Sequence, residues 1–175
     1  MVEIPEKRIL EVGREAHKAF VDFMYPRFNY GKHPGYSIVR VLPIIFAGGA
    51  SFNPDEIFLN DVQTSEEGIC DVTYHESAHL LHPYSRKLYY QVGRDEYKKT
   101  INGDLSELIA NFGAIVFLSA HYDDERVGRY VNERDDGKNI TNAFKLHEIS
   151  DELLGRLSNM DQKKALKMIR RLLKP

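Results

Sequence analysis

Apolar residues recur every three or four positions after Pro5. Ile9, Val12, Ala16, Phe20 and Phe23 share one face and predict a helix. Pro26 and the stretch FNYGKHPGY bring it to an end. The period then shortens. Ser37 to Phe46 is rich in Val and Ile and reads as one or two strands, interrupted at Pro43. Ala50 to Phe52 and Glu56 to Asn60 flank the turn residues Asn53-Pro54-Asp55 and read as a hairpin or a strand pair. Residues 64 to 82 (TSEEGICDVTYHESAHLLH) return to helical character. Thr64 and Glu67 make a capping-box pair at the start. Pro83 forces an end at or before His82, because the residue before a proline avoids helical angles. Ile69, Val72, Tyr74, Ala78, Leu80 and Leu81 cover most of the circumference, so this helix should be buried.

Tyr84 to Thr100 is polar and tyrosine-rich, an irregular connection or a short helix. Asn102-Gly103 reads as a break, Asp104 as an N-cap and Leu105 to Ala120 as a strongly apolar helix. Residues 121 to 141 read as a charged loop. Two helical patterns follow, Asn142 to Leu157 and Met160 to Lys174. In the second, Ala165, Ile169 and Leu172 form one face, with Lys163, Lys164, Lys167, Arg170, Arg171 and Lys174 elsewhere. That pattern reads as the solvated side of a packing helix rather than a phosphate-binding surface. His17 lies among charged residues and reads as solvated; His33 sits in a turn and reads as exposed.

Composition narrows the class. A chain of 175 residues fits one domain, 1–175, divided into an N-terminal helix and loop (1–36), a core (37–120) and a C-terminal helical pair (142–175). A net charge of -2 gives no general attraction to nucleic acid, and no nucleic-acid partner is expected. The lone cysteine, Cys70, allows no internal disulfide. The charged N-terminus lacks the apolar core of a signal peptide. Leu105 to Ala120 is too short and too polar to span a bilayer. A cytoplasmic protein without membrane partners is the expectation.

The chemistry concentrates in His75-Glu76-Ser77-Ala78-His79, an H-E-x-x-H pattern. On a helix, His75 and His79 stand one above the other on one face, where two imidazoles can reach one zinc ion. Glu76 lies beside them, within reach of a water on the metal. Inside a buried helix such polar groups need partners, and a metal supplies them. The third ligand is expected to be Glu107, on the next apolar helix, completing a His₂Glu set suited to hydrolysis. The competing reading makes Asp104-x-x-Glu107 a capping box. Asn111, one turn after Glu107, is either a hydrogen-bond partner of a ligating histidine or a packing amide. His82 reads as a helix-end residue rather than a ligand. Cys70 lies on the same helix five residues before His75, too close to bend back as a ligand, which argues against a deformylase-type site.

With these residues, H-E-S-A-H-L-L-H followed by E-L-I-A-N-F-G-A resembles the gluzincin branch of zinc metallopeptidases. It looks most like the ImmA/IrrE-like family and the small archaeal gluzincins. The resemblance covers about Ala50 to Ala120. It implies a zincin-like α+β fold: a small mixed sheet packed on an active-site helix and a glutamate helix, with extra N- and C-terminal helices. It also implies a peptide substrate that extends an edge strand. The expected activity is hydrolysis of peptide bonds, with His75, His79 and Glu107 on Zn²⁺ and Glu76 as general base. Tyr97, His121 and Tyr122 are candidates, by residue type alone, to stabilise an oxyanion. The alternative is a zinc-stabilised regulatory or binding module without turnover.

Overall fold

The computed structural model describes residues 4–28, 32–44, 47–52, 55–63, 65–83, 101–134 and 137–174, with the backbone alone for 101–104. The segment Tyr84 to Thr100, Thr64, the hairpin residues Asn53-Pro54 and the candidate Tyr97 lie outside them. The described chain is mixed α+β. Its elements run α1 (Glu6–Met24), β1 (Ile38–Leu42), β2 (Gly48–Phe52), β3 (Asp55–Asn60), α2 (Glu66–Leu81), α3 (Ile101–His121), α4 (Asp124–Glu133), α5 (Lys138–Ile149), α6 (Leu153–Ser158) and α7 (Gln162–Leu172).

The three strands order as β1-β3-β2. β2 and β3 pair antiparallel as a hairpin, with Ala50 opposite Ile57, while β1 runs parallel to β3, with Val39 opposite Ile57. β1 stops before Pro43, which has no N–H to give a ladder. One face of the sheet is apolar: Val39, Phe52, Ile57 and Leu59 pack with Ile9 and Val12 of α1 and Ile69 and Leu80 of α2. A larger helical core holds Phe20, Met24 and Phe28 against Tyr74, Ala78, Leu81 and the apolar length of α3.

α2 and α3 run antiparallel. Tyr74 meets Phe117, His75 meets Asn111 and His79 meets Ser106, so positions descend along one helix as they rise along the other. Their close approach depends on small residues. A Cβ at Gly113 would stand 3.2 Å from the Ala78 methyl and 3.1 Å from the Phe28 ring. This narrow seam brings the start of α3 against the end of α2.

Several local expectations are corrected. The N-cap of α2 is Ser65, whose hydroxyl accepts from Gly68 N–H, and Glu67 pairs with Arg129 rather than closing a capping box. α3 begins at Ile101, so Asn102-Gly103 does not break the chain and Asp104 lies inside the helix. A glycine there costs about 1 kcal/mol, less than the packing of the apolar face that follows returns. The segment read as a charged loop contains α4, capped by Asp123, whose carboxylate accepts from Arg126 N–H. Its Val127 and Tyr130 face the core, and its arginines are consumed in ion pairs to α2. The helix expected over Asn142 to Leu157 is broken at Ser150–Glu152 into α5 and α6. His17 is buried, at 2% exposure, and His33 is half-buried against Asp22.

Candidate metal centre

His75 and His79 stand one turn apart on α2, with ring centroids 4.7 Å apart and planes nearly perpendicular. Their Nε2 atoms approach to 3.1 Å. Glu107, arriving on α3, straddles them: Oε2 is 3.1 Å from His75 Nε2 and Oε1 is 3.4 Å from His79 Nε2. One ligand atom from each residue lies within 4.8 Å of the others, so the trio could hold a metal ion. Because α3 already runs from Ile101, Glu107 is not at the third position of a capped helix, and the capping-box reading falls. His82, the C-cap of α2, is buried and stays outside the group.

Both imidazoles are supported from behind. His75 Nδ1 lies 3.1 Å from Asn111 Oδ1, which can only accept, so Nδ1 carries the proton. Nε2 faces Glu107 Oε2 and His79 Nε2, each at 3.1 Å. His79 Nδ1 lies 2.9 Å from Ser106 Oγ. Asn111 Oδ1 also accepts from Tyr130 O–H at 3.2 Å. Sequence reasoning passed over Ser106, Tyr130 and Arg134. The only visible sign of the first was a hydroxyl interrupting an apolar run beside Glu107. Tyr130 and Arg134 sit in a segment whose helix was not recognised.

The electrostatics are those of an electron-rich cluster. Burial and the positive charge of Arg134 push His75 below its ordinary value. Burial also opposes charge on His79, but the Glu107 carboxylate beside it raises its pKa. Burial would raise Glu107, yet His79 and His75 hold it far below the usual carboxylate range. Tetrahedral zinc ligands at about 2.0–2.1 Å from the ion lie about 3.3 Å from one another; here the two Nε2 atoms are 3.1 Å apart, and His75 and His79 each meet a different oxygen of Glu107, at 3.1 and 3.4 Å. The opening is on the carboxylate side: the Glu107 side chain is 39% exposed, the His75 side chain 3%.

Glu76 is half-buried on the next position of α2 and its charge acts on both imidazoles. β2 begins directly above it. A Cβ at Gly48 would overlap the Val72 side chain and stand 3.7 Å from Glu76 Cγ. Among the described residues, β2 forms one edge of the sheet.

The oxyanion candidates His121, at the end of α3, and Tyr122, just after it, are not at this centre. His121 is 14 positions beyond Glu107, about 21 Å along the helix at 1.5 Å per residue. It packs on Phe23 and Phe117 with Nδ1 on the Phe117 carbonyl. The Tyr122 hydroxyl meets Tyr74 O–H at 3.3 Å. His147 and Glu148 form a second His-Glu pair in the sequence, with Asp151 where a second histidine would stand. His147 joins Ser119 at 3.0 Å and Asp151 at 2.6 Å, an order that mimics a nucleophile, base and carboxylate. Ser119 sits inside α3, where neighbouring N–H groups are spent on helical bonds and cannot receive an oxyanion. The chain of bonds fastens α5 to α3.

No helix among the described residues is long and apolar enough to cross a membrane. Comparison with protein-family models, curated proteins and solved structures finds no match to this chain.

Proposed function

We propose that the chain is a zinc-dependent peptidase of zincin-like architecture, in which His75, His79 and Glu107 hold the ion and Glu76 is the general base. The observation that carries this reading is the convergence of two Nε2 atoms and one carboxylate, 3.1 to 3.4 Å apart, beside Glu76. A zinc ion held there supplies Lewis acidity, lowering the pKa of a water and polarising a carbonyl.

The remaining work falls to the protein's own groups. Asn111 and Ser106 orient the two imidazoles. Glu76 accepts a proton from the attacking water and delivers it to the leaving nitrogen as the C–N bond breaks. The water oxygen ends on the carbonyl carbon, giving a carboxylic acid and an amine. The start of β2 over Glu76 supports a peptide substrate, because an extended chain added to that edge would present its backbone carbonyls to the centre.

The test measures zinc stoichiometry in wild type, His79→Ala and Glu107→Ala, together with cleavage of a diverse peptide library by wild type and Glu76→Gln. The expected result is one zinc in wild type and in Glu76→Gln, loss of zinc in the two ligand variants, and loss of cleavage in Glu76→Gln. Zinc retained at full affinity by Glu107→Ala would remove the third ligand. Zinc uptake without cleavage of any peptide would leave a zinc-stabilised binding module.

A further inference from the structure

Asn111 and Tyr130 form a two-step support behind His75. Asn111 Oδ1 faces His75 Nδ1 at 3.1 Å and receives Tyr130 O–H at 3.2 Å. Both residues are fully buried, at 0% and 1% exposure. The ends of an amide have the same shape and opposite chemistry. With Oδ1 toward the ring, Nδ1 carries the proton and Nε2 keeps a lone pair for a cation. With Nδ2 in that place, the amide would donate to Nδ1, and the ring proton would move to Nε2, where it blocks the metal-facing nitrogen. At His75 the orientation of the Asn111 amide therefore bears on which ring nitrogen is left for a cation.

We propose that Tyr130 is a positioning residue for the metal centre: its hydroxyl holds the Asn111 amide with Oδ1 toward His75 and so selects the metal-competent tautomer. This rests on the metal-binding reading above. A phenol donates more strongly than it accepts, since its oxygen lone pair is shared with the ring, so it favours the carbonyl end of the amide. The hydroxyl is also delivered firmly. Tyr130 stands on α4, which is tied to α2 by Arg126 on Asp71 and by Arg129 on Glu67, the latter at 3.1 Å. Helix α4 is thus braced against the helix that carries His75, and its tyrosine acts on that histidine through Asn111.

Zinc affinity, read by chelator competition on the full chain, tests this in wild type, Tyr130→Phe, Asn111→Asp and the double variant. Tyr130→Phe keeps the ring and removes only the hydroxyl. Its zinc affinity is expected to fall about tenfold or more, the usual cost of losing such an outer partner, and the visible spectrum of its cobalt form should shift. In the Asn111→Asp background both side-chain oxygens accept, so Tyr130→Phe should cost less than threefold. A Tyr130→Phe affinity within twofold of wild type overturns the proposal, as does an equal loss in both backgrounds. A measurement on the zinc-loaded wild type guards against a variant that does not fold: imidazole ¹⁵N shifts should place the His75 proton on Nδ1 and the zinc on Nε2, and zinc on Nδ1 overturns it. A wild type that takes up no zinc refutes the metal-binding reading and this inference together. Absence of peptide cleavage, with the Tyr130→Phe effect intact, refutes only the peptidase reading.

Discussion

His17 gives the clearest energetic consequence of burial. The sequence reads it as solvated, yet its ring closes a chain of hydrogen bonds behind α2. Ser37 N–H donates to Nε2 at 2.9 Å, Nδ1–H donates to Ser77 Oγ at 2.8 Å, and Ser77 O–H donates to the Thr73 carbonyl at 2.6 Å. The backbone donor on Nε2 requires the neutral ring, and burial lowers the pKa from 6.5 to about 4. Between those values the unfolded chain binds a proton that the folded protein does not, so stability falls as pH falls. The contribution is intact above pH 6.5, is reduced by about 2 kcal/mol at pH 5 and reaches a loss of about 3 kcal/mol at pH 4, at 1.36 kcal/mol per unit. The comparison variant is His17→Gln, whose amide can donate to Ser77 and accept from Ser37 without titrating. Urea unfolding of both proteins from pH 7.5 to pH 4 reads the effect, because acid changes common to both cancel in the difference. The wild type should lose about 3 kcal/mol relative to the variant across that range. A difference that does not vary with pH would show that His17 is not held neutral in the fold.

Three further outcomes follow from particular contacts. Gly48→Ala should destabilise the protein by about 1–3 kcal/mol, since the new methyl overlaps Val72 and lies 2.9 Å from the Phe58 carbonyl oxygen; a thermal midpoint equal to wild type would mean β2 does not press on α2. Asp71→Ala removes the main partner of buried Arg126 and leaves, among the described residues, the Glu67 carboxylate at 3.4 Å, so a loss of about 2–3 kcal/mol in denaturant unfolding is expected, with much of it recovered by adding Arg126→Met. Zinc at a hundredfold excess over its dissociation constant should stabilise wild type by about 2.7 kcal/mol, read as a raised thermal midpoint. The same stabilisation in Glu107→Ala would exclude Glu107 from the centre.

Much of the architecture is legible one residue at a time. The apolar spacing of Ile9, Val12, Ala16 and Phe20 implies α1, Pro43 and Pro83 mark where β1 and α2 stop, and the hairpin can be read from its turn residues. The pair His75 and His79 is equally local, because helical pitch alone sets them on one face. Other features belong to contacts between segments distant in the chain. α4 looks like a loop because its polar surface is charged; it folds as a helix because Arg126 and Arg129 find acids on α2 and Tyr130 finds Asn111. His17 looks solvated because its neighbours in sequence are charged, whereas its partners, Ser37 and Ser77, lie 20 and 60 positions away. Glu107 could be named from the sequence, but its standing as a candidate ligand rather than a helix cap depended on where α3 begins and on how closely Gly113 lets α3 approach Ala78. The sequence by itself therefore determined the two imidazoles and the helix that bears them, since both follow from local geometry. Only the tertiary structure decided what faces those imidazoles and what orients them, because those partners are brought together by packing across the chain.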